Sequence, residues 1–132
     1  MNAAVILAAG SSSRMGFPKQ LAEVREKPLL QAIIDKVNIN FDNSSVVLGS
    51  ENEIISEKID FKNSNILINE NWPEGITSSI RTALFFYQNQ KEINNIRNIE
   101  KLNFVGLQNC GHLPHVDLPS LSIKIIQDYF WE

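Results

Sequence analysis

The sequence predicts an α/β domain with a largely parallel sheet, because short apolar runs alternate with stretches of helical periodicity. Its 132 residues suffice for one domain with one modest core. The composition, 43% hydrophobic and 20% charged, is that of an ordinary globular protein and not of a disordered chain. Because no internal repeat or linker interrupts the pattern, one domain is expected over residues 1–132.

The first half of the chain is predicted to contain strands and helices in alternation. Short apolar runs are predicted as strands at Ala3–Ala9, Ser45–Leu48 and Asn65–Ile68. Pro28 is expected to open the first helix, since a proline in the first turn loses no hydrogen bond. Apolar residues at helical spacing mark the buried side of that helix: Leu29, Ile33 and Val37. A second helix is predicted over the polar stretch Glu51–Ile59.

The second half continues the alternation after a tight segment, Asn71–Gly75. One face of the next helix carries the apolar side chains Ile76, Ile80, Leu84 and Tyr87. Residues 88–101 are polar and weakly patterned, which predicts a helix end and a loop, and Leu102–Leu107 follows as a strand. A last helix is expected at about Asp117–Phe130, with Asp117 as its N-cap. Its apolar stripe consists of Leu118, Leu121, Ile125 and Tyr129.

Charge and cysteine content argue against several classes of partner. A net charge of −3 indicates no basic surface of the kind that binds nucleic acid. The single cysteine, Cys110, forms no intrachain disulfide, which indicates a reducing, cytoplasmic setting. The apolar run Ala3–Ala9 is too short to cross a bilayer and lacks the basic start of a secretory signal. We therefore expect a cytoplasmic protein without a nucleic-acid or membrane partner.

The main functional signal is the glycine–serine loop (Gly10–Pro18), which follows the first predicted strand. Small residues there let backbone N–H groups approach phosphate oxygens closely. Arg14 adds a bidentate guanidinium and Lys19 a compact ammonium, while no acidic residue occurs before Glu23. This combination predicts a triphosphate site.

The loop matches neither of the commoner nucleotide-binding patterns. The P-loop needs Gly-Lys-Ser/Thr, and the dinucleotide fingerprint needs three spaced glycines. In this chain Gly10 and Gly16 flank Arg14, and Lys19 follows three residues later. The alternative to a triphosphate site is a serine-rich surface turn with incidental cations.

The wider segment Leu7–Leu21 reads Leu-Ala-Ala-Gly-x-Ser-x-Arg-Met-Gly-x-Pro-Lys-x-Leu, and Lys27–Gln31 follows it. It resembles the N-terminus of molybdenum-cofactor cytidylyltransferases, and more loosely that of the wider sugar- and cofactor-nucleotidyltransferases. Val46–Gly49 is similar to the family's second strand. Asn71–Ile80 is similar to its Asn-x-x-Trp-x-x-Gly-Met-x-x-Ser segment. The similarity extends from Met1 to about Leu84.

The resemblance implies a three-layer Rossmann-like nucleotidyltransferase fold with a mainly parallel sheet. It also implies an activity in which a phosphate of a molybdopterin-type acceptor attacks the α-phosphorus of a nucleoside triphosphate bound with Mg²⁺, and pyrophosphate leaves. The pair Ala8-Ala9 resembles the cytidylyltransferases, whereas guanylyltransferases tend to have two glycines there. CTP is therefore the expected nucleotide.

The same resemblance assigns roles to individual residues. Arg14 and Lys19 are implied as catalytic, because they would neutralise charge on the triphosphate and the departing pyrophosphate. Residues implied to contact the nucleotide are Leu7, Ala8, Ala9, Gly10, Ser11, Ser12, Ser78 and Ser79. For Ser78 and Ser79 the alternative is a helix cap, and for Trp72 core packing competes with a stacking role.

The chain departs from the family where the metal-binding aspartate is expected. The family's Asp-Gln-Pro segment corresponds to Val105–Val116, which places His112, or in another register Asn109, at the aspartate. Neither is a carboxylate, and neutral imidazole is a poor Mg²⁺ ligand. Mg²⁺ is thus expected from the family while no metal ligand is assigned in this chain. By composition the group Cys110, His112, His115 and Asp117 could bind zinc, although its spacing fits no known zinc pattern.

The second departure is length, since family members usually continue for a further third of a domain. A C-terminally truncated fold is therefore expected. The apolar end Phe130–Glu132 suggests a protein partner or an oligomer that covers the C-terminal edge. Two other functions stay open: a catalytically inactive NTP-binding module, favoured by the missing carboxylate, and a sugar-phosphate nucleotidyltransferase.

Overall fold

A computed structural model describes residues 2–10, 18–24, 26–94, 101–106 and 122–126. The strands are β1 (Asn2–Ala8), β2 (Glu23–Val24), β3 (Lys27–Pro28), β4 (Asn43–Leu48), β5 (Asn65–Ile68), β6 (Lys101–Gly106) and β7 (Ser122–Ile126). The helices are α1 (Leu29–Asn40), α2 (Asn52–Lys58) and α3 (Ile76–Asn94). Short 3₁₀ turns cover Lys19–Leu21 and Trp72–Glu74.

Five of the strands form one sheet in the order β5-β4-β1-β6-β7, and each neighbouring pair is parallel. β2 and β3 form a separate antiparallel ribbon. β1 lies at the centre because it is apolar on both faces, as buried parallel strands are. Parallel pairing brings the carboxyl ends of β1, β4 and β5 to one edge of the sheet, where ligands of such folds usually bind.

Two hydrophobic cores cover the two faces of the sheet. On the α1-side core, alternate β1 residues pack with α1 and α2: Ala4, Ile6, Ala8, Leu30, Ile33, Ile34, Val37 and Ile55. On the α3-side core, the other β1 residues and the adjacent Ala9 pack with α3: Ala3, Val5, Leu7, Ala9, Ile80, Ala83, Leu84 and Tyr87. This arrangement of helix, sheet and helix confirms the predicted α/β fold with a mainly parallel sheet.

The helix predicted at about Asp117–Phe130 is wrong for its central part, because Ser122–Ile126 forms β7 and pairs in parallel with β6. Ile123, Ile125 and Ile126 are β-branched and favour an extended backbone, and β6 supplies a free edge for pairing. The other residues of the predicted helix, including Asp117, lie outside the described residues.

Two helix boundaries also differ from the prediction. Pro28 precedes α1 as its N-cap and pairs within the β2–β3 ribbon, with an extended ψ of 141°, so it lies outside the first turn. α3 continues to Asn94 through the stretch predicted as its end, because glutamine, lysine and glutamate there are good helix formers.

Asp35 on α1 joins the ribbon and the turn before β5. Its carboxylate accepts hydrogen bonds from Lys27 Nζ at 3.0 Å and Gln31 Nε2 at 3.0 Å, and pairs with Lys62 Nζ at 2.7 Å. Burial raises the pKa of this carboxyl, but the hydrogen bonds from Lys62 and Lys27 outweigh burial and lower the pKa to about 2.

Asp35→Asn is expected to lower the free energy of unfolding by about 1 kcal/mol at neutral pH, since the paired lysines are 58% and 44% exposed. The folded-state pKa lies below the value of 3.8 for a free aspartate, so the stabilisation is full above that value. It is lost as the pH falls through about 2. Urea denaturation at neutral pH and near pH 2 measures this, with the exposed Asp42→Asn as control. An equal loss at both pH values would contradict the expectation.

Candidate functional site

The end of β1 carries the chain from the core to the surface at the edge where the strands end. Leu7, Ala8 and Ala9 are buried, whereas Gly10 is exposed. Of these four predicted nucleotide contacts, only Gly10 is therefore open to solvent. Leu7, Ala8 and Ala9 can contact a nucleotide only through backbone atoms.

Of the remaining predicted residues in and beside the glycine–serine loop, the structure describes only the backbone of Lys19. Arg14, Ser11 and Ser12 lie outside the described residues. The backbone of Lys19 opens the 3₁₀ turn Lys19–Leu21, in which Leu21 N–H donates to the carbonyl of Pro18 at 3.0 Å. The predicted roles of these residues stay predictions.

Gln20 ties the two ends of the glycine–serine loop together. Its Nε2 donates to the carbonyl of Ala8 at 2.6 Å and lies 3.5 Å from the carbonyl of Gly10. The side chain is 3% exposed. Because Gln20 directly follows Lys19, these bonds place the backbone of Lys19 beside the end of β1. The sequence interpretation missed Gln20, although the residue stands inside the quoted motif, between Lys19 and Leu21.

Gly49, at the end of β4, allows a close approach of the chain after β5. A Cβ atom on Gly49 would lie 2.6 Å from Trp72 Cβ and 2.9 Å from the carbonyl oxygen of Ala9. Trp72 is half-buried and packs against the α3-side core. This supports core packing for Trp72, the alternative to a stacking role.

Gly49→Ala is expected to lower the free energy of unfolding by about 1–3 kcal/mol, because an added methyl group meets backbone and Cβ atoms that cannot rotate away. Thermal or urea unfolding measures the loss. Ser50→Ala, at the next position and half-buried, is the control and is expected to change stability by about 0.5 kcal/mol or less. A Gly49→Ala variant as stable as the wild type would show that Trp72 does not lie against Gly49.

Asn69 organises the segment between β5 and α3. Its N–H donates to the carbonyl of Leu48 at 2.7 Å, which ties it to the end of β4. Its Nδ2 donates to Ser78 Oγ at 2.8 Å and to Ser79 Oγ at 2.9 Å. Its Oδ1 accepts from the N–H of Asn71 at 2.9 Å. The residue is 2% exposed, so one buried side-chain amide joins the turn to α3, while the backbone of the same residue bonds the end of β4.

The hydroxyl groups of Ser78 and Ser79 are bound within the protein. Both are buried and accept from Asn69, and Ser78 Oγ also lies 2.6 Å from the carbonyl of Gly75 and 2.9 Å from that of Asn71. These bonds hold the preceding turn in place. In that turn Gly75 has a φ of +97°, which residues with a side chain rarely adopt. The predicted contact of Ser78 and Ser79 with the nucleotide stays a prediction.

The sequence contains a signal for Asn69 beside the segment Asn71–Ile80. The family segment begins with an asparagine three residues before its tryptophan, and in this chain Asn69 stands three residues before Trp72. Asn71, with which the segment Asn71–Ile80 starts, contributes its backbone N–H and carbonyl to the network.

A metal site is not found in the part of the chain that the structure describes. Across residues 2–10, 18–24, 26–94, 101–106 and 122–126, no group of three or more His, Cys, Asp or Glu side chains is placed to hold a metal ion. Asn109, Cys110, His112 and His115 lie outside these ranges. Within the same ranges, no helix is long and apolar enough to cross a membrane.

Comparison with known proteins identifies related sequences and folds. The sequence profile of the MobA-like NTP transferase domain matches residues 4–98. A protein of Natranaerobius thermophilus named probable molybdenum cofactor guanylyltransferase is 34% identical over 65 residues, which are 49% of this chain and 29% of that protein. The crystal structure of Rv0371c from Mycobacterium tuberculosis H37Rv matches with a TM-score of 0.53 at 27% identity, over 63% of this chain and 42% of that chain. The matched part of the chain therefore spans less than half of either relative.

Proposed function

Since this chain belongs to the MobA-like NTP transferase domain family, we propose that it is a nucleotidyltransferase that moves a nucleoside monophosphate to a phosphorylated, molybdopterin-type acceptor. The observation that carries the proposal is the closed base of the glycine–serine loop. Gln20 holds the carbonyls of Ala8 and Gly10, so the loop leaves β1 and returns to it at the carboxyl edge of the sheet. Small residues and two cations between those points suit a triphosphate.

In the proposed reaction an acceptor phosphate oxygen attacks the α-phosphorus, and the bond from the α-phosphorus to the bridging oxygen of the β-phosphate breaks. Pyrophosphate leaves with the electron pair of that bond. Arg14 and Lys19 are assigned to neutralise the charge that develops on this leaving group, which is positioning and electrostatic work typical of phosphoryl transfer.

The sequence lacks the carboxylate that would hold Mg²⁺ where the family has it. Mg²⁺ prefers carboxylate oxygens and water, and in the described ranges no group of three or more His, Cys, Asp or Glu side chains is placed to hold a metal ion. The sequence of residues 107–116, which follows β6, also contains no Asp or Glu. This absence favours the second candidate, an NTP-binding module without turnover.

The choice between CTP and GTP rests on two opposing observations. The pair Ala8-Ala9 favours CTP, as in the cytidylyltransferases that the loop resembles. The relative from Natranaerobius thermophilus is named as a guanylyltransferase, which favours GTP. We assign CTP, because the alanine pair belongs to the proposed nucleotide site itself.

Pyrophosphate release tests these assignments. The protein is incubated with molybdopterin and Mg²⁺ and with either CTP or GTP, and reactions without molybdopterin serve as controls. The proposal expects acceptor-dependent release that is at least about tenfold faster with CTP, which corresponds to about 1.4 kcal/mol of discrimination. Faster release with GTP would overturn the nucleotide assignment. Triphosphate binding without release would support the inactive module.

A further inference from the structure

Gln20 connects the end of β1 to the start of the glycine–serine loop through its side-chain amide. Its Nε2 donates to the carbonyl of Ala8, at the end of β1, at 2.6 Å. The same atom lies 3.5 Å from the carbonyl of Gly10, the first residue of the glycine–serine loop. The amide thus closes the base of the loop directly next to Lys19.

The other half of the same amide is unfavourable for stability. Gln20 Oε1 is buried and has no hydrogen-bond partner among the described residues. A buried acceptor without a donor costs free energy, and an apolar side chain of the same length would avoid that cost. Such a group in a folded protein needs an explanation, and a functional role is one of them.

We propose that Gln20 is a positioning residue that holds the base of the glycine–serine loop closed and so sets the place of Lys19 against the triphosphate. This inference rests on the proposed function, because it assumes a triphosphate in the loop. Gln20 acts through the backbone of Ala8 and Gly10 and is not assigned any contact with the nucleotide.

Asn103, on β6, provides a matched control because its side-chain amide also bonds a carbonyl of β1. Its Nδ2 donates to the carbonyl of Ala3 at 3.1 Å, and the side chain is 4% exposed. Gln20 and Asn103 are therefore both buried amides that bond a carbonyl of β1, one at the carboxyl end of the strand and the other at its start. Only the first of them adjoins the loop.

The test compares CTP affinity, measured by calorimetry with Mg²⁺, in Gln20→Met, Gln20→Glu and Asn103→Leu, with thermal unfolding of each variant. Both Gln20 variants are expected to lose roughly tenfold in affinity, since a small misplacement of a charged group weakens binding strongly. Asn103→Leu is expected to keep wild-type affinity for CTP even if its melting temperature falls as far as those of the Gln20 variants. Wild-type affinity in a folded Gln20 variant, or an equal loss in Asn103→Leu, would overturn the proposal.

A double-mutant cycle separates positioning from general loosening. In a Lys19→Ala background, Gln20→Met is expected to weaken CTP binding by about twofold or less, because the residue that it positions is gone. Additive losses would overturn the proposal. If the wild-type protein binds no triphosphate, the proposed function itself fails, which differs from wild-type binding that Gln20 variants leave unchanged.

Discussion

Lys19→Ala is expected to lower kcat/KM for nucleotidyl transfer by about 100-fold or more, because removing one preordered group that stabilises transition-state charge typically has this effect. The affinity for the triphosphate is expected to fall as well, since the ammonium group is assigned to the bound ground state too. The free energy of unfolding is expected to change little. Steady-state pyrophosphate release and urea unfolding measure the two effects separately.

The control for net charge is Lys58→Ala, which removes an exposed lysine at the end of α2. It is expected to leave kcat/KM within about twofold of the wild type, because exposed charges away from a site are largely screened. A Lys19→Ala variant that matched Lys58→Ala would remove Lys19 from the site.

Asn69→Leu is expected to lower the free energy of unfolding by about 3 kcal/mol, because it leaves buried hydrogen-bonding groups without their partner. Those groups are the hydroxyls of Ser78 and Ser79 and the N–H of Asn71. Urea denaturation measures the loss, which is large for one substitution.

Asn40→Ala is the comparison for Asn69. Asn40 also donates through Nδ2, but to Lys36 of its own helix and on an exposed surface. It is expected to cost about 0.5 kcal/mol or less. Equal costs for the two substitutions would mean that the Asn69 side chain does not hold the turn and α3 together.

The elements that the sequence predicted well are those whose own apolar spacing matches their burial. β1 and α1 follow from an apolar run and an apolar stripe that pack against the two cores. β7 could not be predicted in this way, because Leu121 and Ile125 also suit a helix. Its strand form depends on pairing with β6, a contact that lies outside its own segment.

The site shows the same division between local and distant information. Residue types in the glycine–serine loop predict affinity for phosphate without any structure. The role of Gln20 could not be predicted because it depends on a hydrogen bond to Ala8, 12 residues earlier. The residue type alone does not indicate such a bond. Asn69 was missed for the same reason, since its partners Ser78 and Ser79 lie in the next helix.

Calorimetric titration with CTP and with CMP, each with Mg²⁺, tests the central claim that the glycine–serine loop binds a triphosphate. The account predicts saturable binding of one CTP per chain, and binding of CMP that is weaker by about 100-fold or more, because CMP lacks the two phosphates that Arg14 and Lys19 are assigned to neutralise. No binding of CTP, or equal affinity for CTP and CMP, would contradict the account.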